Sequence, residues 1–303
     1  MGTRGSDLAL WQATTVAAAL ADGGLDAEPR LVVVQTSGDR IQDLPLSLVE
    51  GKAFFTKELD RALLDGEIDL AVHSFKDVPT RLPDGIVLGA VLERGDPRDA
   101  LVGAGGATLA ELPAGSRIGT SSPRRRAFLQ RARPDLVPVD LRGNVPTRVE
   151  VVASGRLDGA ILALAGLVRL GLEDRVTDVL DPAAFVPAPA QGAVAVLVRT
   201  GEAGTVAGLD HATTRAAAVA ERTVLRRLEG GCHAPLGALA RGAEQFQLHA
   251  AVASLDGSEV LEERGAGPAS EPERLGEALA ERLLARGAAR LVSARRSPTE
   301  RVG

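Results

Sequence analysis

The chain of 303 residues has a single cysteine, Cys232, no tyrosine and one tryptophan, Trp11. One cysteine cannot form an intramolecular disulfide, which fits a reducing compartment. Aromatic residues make up only 2% of the chain, which argues against stacking platforms for nucleic-acid bases. No apolar run reaches membrane-spanning length, and the N-terminal residues do not have the design of a signal peptide. We therefore expect a cytoplasmic protein that binds neither membranes nor nucleic acids.

Lysine is scarce as well. Of the 35 basic residues only Lys52, Lys57 and Lys76 are lysines, and all three fall within one short segment. The net charge of −5 argues against wholesale binding to nucleic acid. With 45% apolar residues, the chain is long enough for two or three domains that each bury a core.

The clearest local signal is a strand followed by a charged turn. Residues Ile68–Ser74 alternate apolar and polar positions and are rich in β-formers, and Pro79 cannot extend a ladder of hydrogen bonds. Lys76 and Asp77 are thus predicted to lie in the turn at the carboxyl end of the strand, where ligand clefts of open α/β sheets form. A carboxylate beside a lysine at such a place is a candidate acid, base or charge stabiliser. The alternative is a solvated ion pair in an ordinary loop.

Strands alternate with helices over the first two thirds of the chain, which predicts α/β units with largely parallel sheets. We predict a discontinuous domain 1 from residues 1–93 and 191–211, a domain 2 from 98–186, and an α+β domain 3 from 213–303. The Val-rich segment Arg30–Thr36 is expected to be a strand buried on both faces. Ser270–Glu273 has the pattern of a capping box that begins a helix.

Arginines recur at predicted helix starts. They are Arg4 before the first helix, Arg124, Arg125 and Arg126 in the first turn of a helix that begins at Pro123, and Arg142 and Arg148 around the start of the next. Cations at helix N-termini oppose the helix macrodipole, so an anion between the dipole and the guanidiniums is expected. Arginine pairs in bidentate fashion with carboxylate or phosphate, and both ligands stay open on this reasoning. The alternative is a solvated arginine face.

Cys232 follows Gly230-Gly231 and precedes Pro235, a composition typical of a loop. An accessible thiolate there could anchor a covalent group, whereas a lone cysteine is more often an inert core residue. The four histidines are scattered and lack the spacing of metal ligands, so no metal site is predicted.

Several motifs together resemble the porphobilinogen deaminase family, also called hydroxymethylbilane synthases, over nearly the full length. The motifs are Thr3-Arg4-Gly5-Ser6, Ala71–Pro79, Gly119–Arg125, Leu141–Val145 with Thr147-Arg148, Ala165–Gly171 and Glu229–Cys232. The resemblance implies two periplasmic-binding-protein-like (type II) α/β domains with mixed sheets flanked by helices, plus a small α+β C-terminal domain. It also implies a transferase that deaminates and joins four porphobilinogen molecules into the linear tetrapyrrole hydroxymethylbilane and releases ammonia.

The same resemblance implies site residues and a cofactor. Asp77 matches the catalytic aspartate, and Cys232 matches the cysteine that holds a dipyrromethane cofactor through a thioether. Other matching positions bind the acetate and propionate side chains of the cofactor or of the growing chain. For the cofactor these are Lys76, Ser121, Arg124, Arg125, Arg142 and Arg148. For the substrate they are Arg4, Ser6 and Arg169, together with Lys52 in a mobile loop beside the cleft and Gln191 in a hinge-side segment. The expected partners are porphobilinogen and the growing oligopyrrole, and the expected state is a monomer.

Two other functions compete with this one. A non-enzymatic two-domain protein that binds a small anion would share the fold but would need neither Asp77 nor Cys232. A nucleic-acid-binding regulator that uses Arg124–Arg133 would show DNA affinity with a strong salt dependence.

Overall fold

The computed structural model describes residues 1–23, 29–40, 56–229 and 234–293. Over these ranges the chain forms two five-stranded mixed sheets and one three-stranded antiparallel sheet, and helices flank all three. This confirms the predicted fold class of two α/β units with mixed sheets and a smaller α+β unit.

The first sheet has the strand order β2-β1-β3-β10-β4. Its elements, with the helices of this part of the chain, are β1 (Gly2–Thr3), α1 (Asp7–Asp22), β2 (Val32–Val33), α2 (Ser37–Arg40), α3 (Lys57–Leu64), β3 (Leu70–Ser74), β4 (Ile86–Val91) and β10 (Val194–Arg199). Strands β2, β1 and β3 are parallel, and β10 runs antiparallel to both β3 and β4. One face packs under α1 and the other under α3, so α1 and the turns after β1 and β3 are held by a rigid core.

The second sheet repeats this topology with the order β7-β6-β8-β5-β9. Its elements and helices are β5 (Asp99–Gly103), β6 (Arg117–Gly119), α4 (Pro123–Ala132), β7 (Val137–Val139), α5 (Val145–Ala153), β8 (Gly159–Ala163), α6 (Leu164–Arg169) and β9 (Asp178–Val179). Here β5 is the strand antiparallel to its neighbours, at the position that β10 holds in the first sheet. The two sheets thus share one strand order, in which the fourth strand runs antiparallel to its neighbours.

Two segments carry the chain between the sheets, residues 92–98 from β4 to β5 and residues 180–193 from β9 to β10. They run side by side, since the Gly95 amide donates to the Gly192 carbonyl at 3.1 Å. Gly192 has φ +89°, and a Cβ there would lie 2.6 Å from the Gly95 carbonyl oxygen, so only glycine permits this approach. The boundaries predicted for domains 1 and 2 fall in these segments and stay predictions.

The third unit begins with α7 (Ala212–Arg227). It continues through the sheet β11-β12-β13 and two helices: β11 (Leu236–Arg241), β12 (Gln245–Ala253), β13 (Val260–Pro268), α8 (Pro272–Ala285) and α9 (Ala288–Ser293). The face of β12 that carries Phe246 packs on these helices. The face that carries Ala251 and Ala253 packs on the core of the second sheet.

A buried carboxylate on α7 joins all three parts. Glu221 is fully buried and accepts hydrogen bonds from both terminal nitrogens of Arg94, at 2.7 and 3.0 Å. It also accepts from the amides of Ala190 and Ala240, at 2.7 and 2.8 Å. These partners come from both linking segments and from β11, so the third unit is attached where the two sheets meet.

Two local expectations were wrong, and one strand was missed. Only Val32–Val33 of the predicted strand Arg30–Thr36 is extended in a ladder, and it is an edge strand whose Val33 is 56% exposed. Helix α8 begins at Pro272 with Glu271 as its N-cap and without a side-chain capping bond, so the predicted capping box is absent. Strand β5 was not predicted, although it occupies the interior of the second sheet.

No helix in the described ranges is both long and apolar enough to cross a bilayer.

Candidate active site

The predicted catalytic turn lies where β3 ends. Residues Phe75–Asp77 form a single 3₁₀ turn, and the Phe75 ring is buried beneath it. The Phe75 amide donates to the Ala193 carbonyl at 3.0 Å, which fixes the turn against β10. The Asp77 carboxyl group is half-buried and faces a cavity of about 80 Å³.

The start of α1 forms the opposite wall of this cavity, with Arg4, Ser6 and Gln12 among its lining residues. Ser6 is the N-cap of α1, and its hydroxyl accepts from the Ala9 amide at 3.4 Å. Gln12 donates to the Ser74 hydroxyl at 2.9 Å and so ties α1 to the end of β3. Arg4 and Ser6 thus line the same cavity as Asp77, and their predicted roles in substrate binding stay predictions.

Three further predicted residues converge on a carboxylate that the sequence reasoning missed. Asp99, at the start of β5, is fully buried and accepts from Arg124 at 2.6 Å, from Arg125 at 2.8 and 3.0 Å, and from Gln191 at 2.9 Å. Gln191 accepts in turn from Lys76 at 3.3 Å. This group, here called the Asp99 cluster, joins the catalytic turn of the first sheet to helix α4 of the second.

The Asp99 cluster corrects the explanation given above for the arginines at the start of α4. Their charge opposes the helix macrodipole, and we expected an external anion to offset it. Asp99 instead provides an internal anion for Arg124 and Arg125, both of which are almost fully buried. Arg125 also donates to the Ile161 carbonyl and to the side-chain oxygen of Gln191. The buried Nε of Arg124 has no hydrogen-bond partner.

Burial and charge set the ionisation of these groups. Burial alone would raise the pKa of Asp99, but Arg124, Arg125 and the Gln191 amide hold it well below its usual range. Burial, followed by the nearby charge of Arg125, lowers the pKa of Lys76 to about 8. With Asp99 ionised and three cations around it, the cluster has an excess of positive charge at neutral pH.

Arg142 and Arg148 add charge from the second sheet, before and within α5. Asn144 is the N-cap of that helix and accepts from the Thr147 amide at 2.9 Å. Burial, followed by the charges of Arg125 and Arg142, lowers the pKa of Arg148 to about 10, and the Asp77 carboxylate opposes this shift. The charge of Asp77, from the first sheet, therefore acts on Arg148, from the second.

Two predicted residues make other contacts. The Ser121 hydroxyl donates to the Leu141 carbonyl, which links the turns that precede α4 and α5. Arg169, at the end of α6, donates to the Gly192 carbonyl at 2.6 Å, and its guanidinium lies 5.2 Å from the centre of the Trp11 ring. Both residues border the junction between the sheets, and their predicted roles in ligand binding stay predictions.

Lys52 and Cys232 lie outside the described residues. The missed residue, Asp99, has no distinctive local pattern, because an acidic residue before a short apolar strand is common. Its role follows only from the pairing of β5 with β8, which brings it beneath α4. Among the described residues no group of three His, Cys, Asp or Glu side chains could hold a metal ion.

This arrangement can bind a ligand with several carboxylates. Each charge-assisted hydrogen bond in such a closed site contributes about 1.5–3 kcal/mol. The site also presents one carboxylate, that of Asp77, to a cationic or N–H group of the same ligand.

Comparison with known proteins gives consistent results over both parts of the chain. A family model described as "Porphobilinogen deaminase, dipyromethane cofactor binding domain" matches residues 1–207, and one described as "Porphobilinogen deaminase, C-terminal domain" matches residues 216–285. A porphobilinogen deaminase of Desulforudis audaxviator is 49% identical over 301 residues, which cover 97% of this chain and 96% of the relative. A porphobilinogen deaminase of Moorella thermoacetica is 48% identical, over 96% of this chain and 95% of the relative. One of Xanthomonas oryzae is also 48% identical, over 97% of this chain and 98% of the relative.

Proposed function

The chain belongs to the porphobilinogen deaminase family, and we propose that it acts as a hydroxymethylbilane synthase, a transferase. It removes ammonia from porphobilinogen and joins four such units head to tail on a covalently held dipyrromethane primer. We propose further that it works in the cytoplasm as a monomer.

The residues of the cleft fit the dipyrromethane cofactor that the matching domain is named for. That group carries acetate and propionate side chains, and the Asp99 cluster has an excess of cations together with an Arg124 Nε that is buried without a partner. Lys76, Ser121, Arg124, Arg125, Arg142 and Arg148 would hold it, and Cys232 would carry its thioether. When bound, the cofactor supplies the pyrrole carbon to which the first substrate is joined.

In this proposal Asp77 performs the central chemistry. Loss of ammonia from porphobilinogen leaves a cation that is conjugated with the pyrrole nitrogen. A carboxylate oxygen of Asp77 accepts a hydrogen bond from that N–H and stabilises the developing charge, and it can shuttle this proton to and from the pyrrole nitrogen. Arg4 and Ser6 orient the substrate carboxylates, and Arg169, Lys52 and Gln191 contribute further to substrate binding.

The observation that supports this proposal best is the position of Asp77. It is a carboxylate in a small cavity walled by Arg4 and Ser6, within electrostatic reach of Arg148 across the cleft. A protein that only bound anions would gain nothing from a carboxylate there, because it would repel the ligand.

The test is intact-protein mass spectrometry with and without porphobilinogen. The mass should exceed that of the sequence by one dipyrromethane, and Cys232→Ser should abolish the increment; an active enzyme of unmodified mass would refute the anchor. Asp77→Asn should lose turnover by orders of magnitude while Asp77→Glu keeps a part of it. Turnover near normal in Asp77→Asn would overturn the catalytic role of this residue.

A further inference from the structure

A guanidinium from the third unit holds the turn that carries Asp77. Arg222 lies on α7, and its Nη1 donates to the carbonyls of Phe75 at 3.0 Å and Val78 at 2.9 Å. Its Nη2 donates to the Pro79 carbonyl at 2.7 Å. The same guanidinium lies 4.4 Å from the centre of the Phe75 ring. One side chain thus binds the backbone on both sides of Asp77.

These contacts add to the two backbone hydrogen bonds of the turn, from the Phe75 amide to the Ala193 carbonyl and from the Val78 amide to the Phe75 carbonyl. Pro79 has no N–H, and the segment has left the ladder of β3, so its carbonyls need partners from elsewhere. A planar guanidinium with several donors in fixed directions can bridge three carbonyls and stack on a ring, which a lysine ammonium cannot. Phe75 and Val78, which flank Lys76 and Asp77, are held in the core at 3% and 2% exposure.

We propose that Arg222 is the positioning residue for Asp77. Its contacts with this segment are to the backbone on both sides of Asp77 and to the Phe75 ring. We infer that Arg222 acts on the reaction by fixing the position of the Asp77 carboxylate. A displacement of about 1 Å at a reacting group can cost on the order of a hundredfold in rate. The inference rests on the proposed catalytic role of Asp77.

The position of Arg222 in the chain gives this contact a second consequence. Its neighbour Glu221 joins α7 to both linking segments and to β11. Helix α7 ends at Arg227, and Cys232 follows shortly afterwards in the sequence. A single helix therefore sets the position of the catalytic turn and leads into the residue proposed to anchor the growing chain.

The first test compares Arg222→Met and Arg222→Lys with Arg215→Met, all as purified enzymes whose cofactor content has been checked by mass. Arg215 is a matched control because it lies two turns earlier on α7 and donates to the carbonyls of Leu88 and Gly89, away from the turn. We expect Arg222→Met to lower kcat by about 10- to 100-fold while KM for porphobilinogen changes less than about threefold. Arg222→Lys should recover a part of kcat, and Arg215→Met should leave kcat unchanged. Should Arg222→Met not fold, the kcat of Arg222→Lys relative to Arg215→Met decides in its place.

The second test adds each Arg222 substitution to Asp77→Asn and measures the slow residual turnover. If Arg222 acts through Asp77, the second substitution costs nothing further. Losses that multiply would overturn the inference, as would a normal kcat in Arg222→Met. A normal turnover in Asp77→Asn alone would instead overturn the proposed role of Asp77. If Asp77→Asn loses turnover but Arg222→Met keeps a normal kcat, only the positioning role of Arg222 is overturned.

Discussion

Replacing Asp99 by asparagine tests the Asp99 cluster most directly, because the substitution removes one charge and preserves the shape of the side chain. The Asp99 carboxylate is fully buried, and the side chains of its partners Arg124 and Arg125 are only 4% and 7% exposed. Removing one partner of such a buried ion pair leaves an uncompensated charge and typically costs about 3–5 kcal/mol. Asp99→Asn leaves two guanidiniums uncompensated, so we expect a loss of about 3–5 kcal/mol in the free energy of unfolding.

The assay is urea denaturation of the purified protein followed by far-UV circular dichroism. Asp135→Asn is the matched control, because Asp135 forms an exposed ion pair with Arg133 at 2.7 Å and such pairs contribute little. We expect no measurable change for that variant. Asp99→Asn as stable as the control would refute the argument that Asp99 is an ionised counterion.

The pH dependence of this difference checks its sign. The pKa of Asp99 is lowered in the folded protein, so the carboxylate stabilises the fold above its unfolded pKa, about 3.9. That stabilisation is lost as the pH falls, because the Asp99 carboxyl group of the unfolded chain takes up a proton at a pH at which the folded one is still ionised. The difference between the parent protein and Asp99→Asn should therefore be constant from about pH 5 to 8 and narrow below about pH 4. A difference that does not narrow in acid would contradict the assignment.

Other perturbations test the rest of the cleft. Arg142→Leu or Arg148→Leu should stall elongation at an early covalent complex, visible as an intermediate protein mass, and normal product release from both variants would count against their role. Glu221→Gln removes the fully buried charge that joins the three parts of the fold, and should lower the free energy of unfolding by about 3–5 kcal/mol in urea; an unchanged midpoint would exclude an ionised Glu221. Burial lowers the pKa of Lys76 to about 8. In the cofactor-free protein, the acetylation rate of Lys76 should therefore reach half of its maximum near pH 8, with the exposed Lys57 as internal reference. Half-maximal reactivity near pH 10 would contradict that value.

Local chemistry made several elements predictable. Helices begin beside the arginines where the sequence predicted them, and Ser6, Ser122 and Asn144 cap them, because an N-cap bonds an amide only three residues away. The catalytic turn was predictable for a similar reason, since Pro79 ends the strand by its own covalent structure. The failures at Ser270 and in Arg30–Thr36 came where the outcome depends on pairing with distant residues. A segment rich in valine is suited to any strand position, and only its neighbours decide whether it lies at an edge.

The sequence by itself determined the charged residues of the cleft, the family and the helix starts that present those residues, since all of these depend on residue identity or on contacts a few positions apart. Only the tertiary structure decided that Asp99 neutralises the arginines of α4 and that Arg222 holds the turn with Asp77. These contacts join residues that lie 25 or more positions apart in the chain. Their geometry depends on sheet order and on the packing of the third unit, which local propensity does not encode.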